Sequence, residues 1–170
     1  MTMEKRSNIA LVGMPGSGKS TVGLILAEEL SRDFVDTDSL IESSQGRKLQ
    51  HIVDMDGYAE LRRIEENILL DLHVQNHIIA TGGSVVYSQR GMTHLQSISI
   101  IVFLNVELSD LRSRIHNYDS RGIAKRPEQS FEDLFRERFE LYTRYADITI
   151  DGAGLSKEEV CNRVLQAIKN

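Results

Sequence analysis

The chain has 170 residues, of which 41% are hydrophobic and 26% charged, with a formal net charge of −5 at pH 7. That length can bury a core without disulfides or metals, so we expect a single domain over residues 1–170. The acidic balance argues against a nucleic-acid partner, and no apolar run reaches the roughly 18 residues of a membrane span. With no signal pattern and one cysteine, Cys161, expected to be buried, a cytoplasmic and monomeric protein is the default expectation.

Short β-prone runs alternate along the chain with segments of helical apolar spacing. The strands are predicted at 8–12, 34–38, 77–80, 99–104 and 148–150, and the helices at 19–30, 60–74, 109–115 and 156–168. Such alternation predicts an α/β fold with three layers, α/β/α, and a five-stranded parallel sheet whose carboxyl edge carries the active residues. Residues 116–130 lack periodicity, and their length favours a mobile lid.

The turn after the first predicted strand matches the phosphate-binding pattern G-x-x-x-x-G-K-[ST] in full, at 13–20. Its backbone amides and the following helix favour phosphate oxygens, Lys19 reaches the outer phosphates, and Ser20 is placed to ligate Mg²⁺. The residues expected to bind the nucleotide are Gly13, Gly16, Ser17, Gly18, Lys19, Ser20 and Thr21. Because the chain is short and lacks the GTPase signatures, a D-x-x-G after the third predicted strand and an N-K-x-D, a small P-loop kinase is the class that remains.

Two carboxylates, Asp36 and Asp38, lie at the carboxyl end of the second predicted strand. If the strand geometry continues, side chains two positions apart point the same way, so both lie beside the phosphates. One can hold Mg²⁺ and the other can orient a substrate hydroxyl and accept its proton. An acidic turn, or a helix N-cap formed by Asp38, is the alternative.

Taken together, five ordered motifs make the chain resemble the shikimate kinases over nearly its whole length. They are the loop at 13–20, D-T-D at 36–38, L-R-R-I-E at 61–65, A-T-G-G at 80–83, and R-x-x-L-Y followed by A-D at 138–147. The resemblance implies transfer of the γ-phosphoryl group of MgATP to a ring hydroxyl of shikimate, giving shikimate 3-phosphate in chorismate biosynthesis. It also implies a substrate-binding segment at about 38–66.

The resemblance assigns roles to individual residues. They are Lys19 for the transferring phosphate, Ser20 and Asp36 for Mg²⁺, Asp38 for the accepting hydroxyl, Arg62 and Arg138 for the substrate carboxylate, Glu65 for orienting Arg62, Gly82 and Gly83 for close backbone approach, and Arg114 for stacking on adenine. A guanidinium suits a carboxylate because it pairs bidentately and stays charged when dehydrated. If the resemblance is left aside, the sequence favours interpreting Arg62 and Arg138 as charged surface residues on Glu-rich helices.

The lid needs an arginine to neutralise the transferring phosphoryl group. Arg126, which precedes Pro127, and Arg121 are both candidates, and the spacing to Arg114 and Arg138 favours Arg121. His73 and His77 are four apart, but no acid or cysteine in their spacing supports a zinc site, so we interpret them as surface residues.

The chain departs from the family pattern around the substrate and the lid. Ser84 replaces the third glycine of a triplet, Glu140 replaces a proline, Leu61 replaces an aromatic, and the lid lacks R-P-L-L. The acceptor is therefore open between shikimate and another small hydroxy acid, of the gluconate or hydroxy amino acid type. A nucleotide-binding module without turnover is a third hypothesis.

Overall fold

The computed structural model describes residues 6–115 and 121–170. Within them, five strands form one parallel sheet in the order β2-β3-β1-β4-β5. The strands are β1 (Asn8–Val12), β2 (Asp33–Asp36), β3 (His77–Ala80), β4 (Ser99–Asn105) and β5 (Ile148–Asp151). The predicted five-stranded parallel sheet is confirmed.

Helices pack on both sides of the sheet. In the described ranges they are α1 (Lys19–Leu30), α2 (Thr37–Gln45), α3 (Leu49–Asp56), α4 (Tyr58–Leu70), α5 (Gln89–Ile98), α6 (Leu108–Arg114), α7 (Phe131–Tyr145) and α8 (Lys157–Lys169), with a 3-10 turn at Val85–Tyr87. A capping box starts α8, since the side chains of Ser156 and Glu159 each accept a hydrogen bond from the other's backbone amide.

The side chains of β1 divide between two cores. Ile9 and Leu11 pack with the apolar faces of α1 and α8, whereas Ala10 and Val12 pack with residues of α4 to α7. Alternate residues of a strand point to opposite faces, so this division produces the three predicted layers. Cys161, on α8, is buried in the first core, as the sequence predicts.

Helices α2, α3 and α4 all lie between β2 and β3 in the chain, and they have a small core of their own. It contains Ile41, Ile52, Leu61 and Ile64, and one residue from the distant 121–130 segment, Ala124. The predicted substrate-binding segment is therefore packed against the part of the predicted lid that the structure describes. Residues 116–120 of that lid lie outside the described residues.

Four helices, α2, α3, α5 and α7, occur where apolar spacing predicts none. Three of them begin at a side-chain cap: Asp36 accepts from the amides of Asp38 and Ser39, Ser88 accepts from that of Gly91, and Ser130 accepts from that of Asp133. Helix α4 begins at Tyr58 and ends at Leu70, four residues before the predicted end. Within the described chain, no helix is long and apolar enough to cross a membrane.

Candidate active site

The glycine-rich turn joins β1 to α1 at the carboxyl edge of the sheet, as predicted. Gly16 and Gly18 have φ angles of 83° and 95°, which glycine adopts at little cost. The turn is closed by a hydrogen bond from the Ser17 amide to the Met14 carbonyl, at 3.0 Å. It therefore forms a curled loop at the N-terminus of α1, the geometry that binds phosphate groups.

Lys19 is the first residue of α1, and its ammonium lies inside this loop. Nζ donates hydrogen bonds to the carbonyls of Gly13 at 2.7 Å and Met14 at 2.8 Å. Burial lowers the pKa of Lys19 to about 8, although the nearby Asp38 acts to raise it. The group is therefore still cationic at neutral pH and is held where an outer phosphate would bind.

Ser20 and Asp36 bring two oxygens together at the rim of the loop. Ser20 Oγ donates to Asp36 Oδ2 at 2.8 Å, and Asp36 Oδ1 accepts from the amide of Asp38 at 2.9 Å. The expectation that the strand continues through Asp38 is wrong, because β2 ends at Asp36 and α2 begins at Thr37. Asp36, not Asp38, is the N-cap, and the first turn of α2 directs Asp38 into the adjacent cavity.

Asp38 and Glu65 are neighbouring acids in the wall of that cavity. Burial first, and Asp36 second, raise the pKa of Asp38 to about 6. Burial and Asp38 raise the pKa of Glu65 to about 7, against a hydrogen bond that Ser84 donates to Glu65 Oε1. Glu65 Oε2 is buried and has no hydrogen-bond partner within the described residues. The pair can therefore bind substrate hydroxyls and exchange a proton near neutral pH.

Arg138 reaches the same cavity from α7, and its side chain is 1% exposed. Nη2 donates to the carbonyl of Ala124 at 2.9 Å, while Nε is buried without a partner in the described structure. Gly83 makes room for it, since a Cβ there would lie 2.7 Å from Arg138 Nη1. Tyr142 Oη donates a hydrogen bond to the Gly83 carbonyl oxygen at 2.5 Å. A buried guanidinium with a free donor is a site for a substrate anion.

Arg62, predicted to bind the substrate carboxylate, lies beside the cavity and is not one of the residues that line it. Its Nη2 donates to the Ala124 carbonyl at 3.1 Å, and its guanidinium carbon lies 3.7 Å from the centre of the Tyr87 ring. No hydrogen bond or ion pair joins Arg62 to Glu65 in the described structure, although the charge of Arg62 lowers the pKa of Glu65. Arg62 and Arg138 nevertheless converge on one carbonyl, so both guanidiniums face the same point.

The two lid candidates, Arg121 and Arg126, and the predicted adenine-stacking residue, Arg114, lie at different distances from the phosphate loop. Arg121 lines the cavity, with Nη1 3.8 Å from where a Cβ on Gly16 would lie. Arg126 points elsewhere and pairs with Glu137 at 3.4 Å. Arg114 Nη1 donates to the Gly16 carbonyl at 3.3 Å, on the outer side of the loop. The geometry therefore favours Arg121 over Arg126 as the arginine nearest the phosphates.

One cavity of about 340 Å³ connects these groups, a size typical of small-molecule sites. The residues that line it are Pro15, Gly16, Gly18, Lys19, Ser20, Thr21, Asp38, Leu49, Glu65, Thr81, Gly83, Ser84, Arg121, Gly122, Ile123, Ala124 and Arg138. Gly82 packs directly against the cavity residue Asp38. The Gly82 amide donates to Thr37 Oγ1 at 3.0 Å, and a Cβ on Gly82 would lie 2.6 Å from Asp38 Oδ1. The cavity thus has a phosphate end and an end that presents acids and a guanidinium.

Several cavity residues have no signal in the sequence. Leu49 comes from an unpredicted helix, and the backbone of Gly122–Ala124 lines the site although no motif marks it. Of the departures from the family pattern, Ser84 lies in the cavity wall, Leu61 is buried in the small core, and Glu140 is exposed. Only the changes at Ser84 and in the lid segment therefore alter the cavity.

In residues 6–115 and 121–170, no group of three or more His, Cys, Asp or Glu side chains is arranged to hold a metal ion. His73 and His77 both follow the end of α4.

Known proteins match this chain along nearly all of it. The family model described as shikimate kinase matches residues 15–169. A shikimate kinase of Haemophilus influenzae is 33% identical over 99% of this chain and 96% of its own length. One from Sulfurihydrogenibium sp. is 35% identical over 95% of this chain and 98% of its own. The solved structure of a shikimate kinase from Acinetobacter baumannii in complex with shikimate has a TM-score of 0.89 at 31% identity, covering 98% of this chain and 95% of that one.

Proposed function

The chain belongs to the shikimate kinase family, and we propose that it transfers the γ-phosphoryl group of ATP to a ring hydroxyl of shikimate. The observation that carries this proposal is the single cavity that joins the phosphate loop, through Asp38, to Glu65 and Arg138. One end suits a nucleoside triphosphate, and the other suits a small acid with several hydroxyls.

At the phosphate end, the loop amides and Lys19 hold the outer phosphates of ATP. Lys19 is pinned by two backbone carbonyls, so it requires little reorganisation when charge develops on the transferring group. Arg121 approaches the same place from the opposite side of the cavity. The two cations then stabilise a phosphoryl group passing between donor and acceptor oxygens.

At the acceptor end, Asp38 receives a hydrogen bond from the attacking hydroxyl. With a pKa of about 6 it is largely ionised at neutral pH and can accept the hydroxyl proton as the new P–O bond forms. Arg138, with Arg62 beside it on the same Ala124 carbonyl, would bind the substrate carboxylate through the donors that this carbonyl leaves free. Positioning of this kind supplies most of the catalysis in direct phosphoryl transfer.

The oxygens at the rim of the loop fit a magnesium ion. Ser20 Oγ and Asp36 Oδ2 lie 2.8 Å apart, and both are hard oxygen donors beside the phosphate site. These two residues would hold Mg²⁺, directly or through water, and the ion would neutralise phosphate charge. Few protein ligands are needed, because Mg²⁺ at such sites keeps waters and phosphate oxygens.

The proposal is tested by identifying the product. Purified protein with MgATP and shikimate is expected to give ADP and a phosphate monoester of shikimate, detected by ³¹P NMR and mass spectrometry. Lys19→Ala should lower the rate by about a thousandfold, since it removes a charged group from the transition state. Formation of ADP without a shikimate ester would contradict the proposal.

A further inference from the structure

The segment Arg121–Ala124 is attached to the substrate side of the site by its backbone. The Gly122 amide donates to Gln50 Oε1 at 2.7 Å, and the Ala124 carbonyl accepts from Arg62 and Arg138. The side chain of Ala124 is buried in the small core of α2, α3 and α4. Two residues of the segment, Gly122 and Ala124, therefore contact α3, α4 and α7, which also shape the acceptor end.

Gly122 packs so closely against α3 that no side chain fits at this position. A Cβ at this position would lie 2.4 Å from Leu49 Cβ and 2.7 Å from the Gln50 amide nitrogen. Its φ of +70° is in the left-handed region, which favours glycine. The backbone of the segment is thus in direct contact with the first turn of α3, at the place where Gln50 can receive its amide.

Gln50 is itself held in one orientation. Its Nε2 donates to Asp54 Oδ1 at 2.7 Å, one turn further along α3. Because the carboxylate accepts only, it takes the NH₂ end of the amide and leaves Oε1 facing Gly122. Asp54 and Gln50 together form a short relay that ends at the Gly122 amide.

Arg121, the residue before Gly122, has no comparable support. Its side chain is exposed, and it makes no hydrogen bond or ion pair with any other residue that the structure describes, yet it lines the cavity near Gly16. The position of its guanidinium therefore depends on the backbone beside it. The nearest fixed point of that backbone is the bond from Gly122 to Gln50.

We propose that Gln50 is a positioning residue, which holds Arg121 at the phosphate loop through the Gly122 amide and is itself oriented by Asp54. This role rests on the proposed function for its effect on turnover, but not for its effect on the segment. Loss of one such hydrogen bond lets the segment leave the site more often and lowers the fraction of complexes in which Arg121 is in place.

The first test compares Gln50→Leu with Gln45→Leu, the same change at an exposed glutamine at the end of α2. We expect Gln50→Leu to lower kcat about two- to tenfold and to leave the KM for MgATP within about twofold, while Gln45→Leu stays at the wild-type values. Equal kcat values for the two variants would overturn the proposal.

The relay is tested by exchanging its donor and acceptor. Gln50→Glu retains an acceptor for Gly122 but places like charges four residues apart, so it should be impaired. The double variant Gln50→Glu, Asp54→Asn has the same net charge as the wild type and restores a donor at 54 and an acceptor at 50. We expect it to recover most of the lost kcat. Activity no better than that of Gln50→Leu would overturn the assignment.

A measurement without turnover separates this proposal from the proposed function. Trypsin can cleave after Arg121 and Lys125, whereas Pro127 blocks cleavage after Arg126, and mass spectrometry identifies each cut. Cleavage after Arg121 should be about two- to tenfold faster in Gln50→Leu than in the wild type or Gln45→Leu, and slow again in the double variant. Equal rates would overturn the role of Gln50. The expected order of rates in a protein that fails to phosphorylate shikimate would refute the proposed function and support the role of Gln50.

Discussion

The Ser84 hydroxyl donates a hydrogen bond to the Glu65 carboxylate, and both side chains are buried in the wall of the cavity. Burial and Asp38 raise the pKa of Glu65, whereas the hydrogen bond from Ser84, followed by the charges of Arg138 and Arg62, favours its charged form. Ser84, which departs from the family pattern, thus lowers the pKa of Glu65, which the pattern retains.

Ser84→Ala should shift the pH dependence of shikimate binding. The pKa of Glu65 is about 7, and removal of a hydrogen bond to its ionised form raises it further. At pH 7 a larger fraction of Glu65 is then protonated, so we expect KM for shikimate to rise about three- to tenfold and to recover towards the wild-type value by pH 9. Ser84→Thr retains the hydroxyl and should restore the wild-type profile. Parallel KM profiles for Ala and wild type would count against this role.

Asp38→Asn should change how the stability of the ligand-free protein depends on pH. Burial and Asp36 raise the pKa of Asp38 to about 6, so the folded chain holds this proton to a higher pH than the unfolded chain does. Stability is then lost as the pH rises from about 4 to about 6. Between pH 4 and pH 7, Asp38→Asn should gain about 1–3 kcal/mol relative to the wild type.

Urea unfolding at the two pH values measures this difference. Asp33→Asn, a change at an exposed acid in β2, serves as the control and should show no such gain. A constant difference between Asp38→Asn and the wild type at both pH values would show that Asp38 is not an acid of raised pKa.

Arg138→Lys should weaken the binding of the acid substrate and leave the nucleotide unaffected. A lysine ammonium at this buried position cannot reproduce the planar pair of donors that a guanidinium presents to a carboxylate. We expect KM for shikimate to rise about 30- to 100-fold and KM for MgATP to change less than about threefold. Steady-state kinetics with each substrate varied in turn measures both values. An unchanged KM for shikimate would remove Arg138 from the carboxylate site.

Arg121→Ala and Arg126→Ala form a matched pair in one segment. Arg121 lines the cavity beside the loop, whereas Arg126 pairs with Glu137 outside it. We expect Arg121→Ala to lower kcat about a hundredfold or more and Arg126→Ala to change it less than about threefold. Single-turnover rates for the two variants decide between them. A larger loss for Arg126→Ala would reverse the assignment.

Local patterns in the sequence predict the sheet and the phosphate end of the site. A glycine-rich loop between an apolar strand and an amphipathic helix has one geometry, so Lys19 and Ser20 are found where the motif implies. The motif also predicts that Asp38 lies in the site. The assumption that β2 continues through Asp38 does not, because Asp36 caps a helix that begins at Thr37, before Asp38.

The acceptor end depends on contacts between distant parts of the chain, which no local pattern records. Arg62 contacts the Ala124 carbonyl and the Tyr87 ring instead of lining the cavity, and these groups are 62 and 25 positions further along the chain. Helices α2 and α3 have only nine and eight residues, so their apolar spacing gives little signal, and α3 supplies both Leu49 and Gln50. Tertiary packing decides these positions.

The most direct test of the central claim is the choice of acceptor. ADP formation from MgATP is followed with shikimate, and in parallel with quinate, gluconate and homoserine. We predict a kcat/KM for shikimate at least about a hundredfold above those of the other three, since the carboxylate and the reacting hydroxyl must be spaced so that they reach Arg138 and Asp38 together. Turnover with one of the other acceptors and none with shikimate would contradict it.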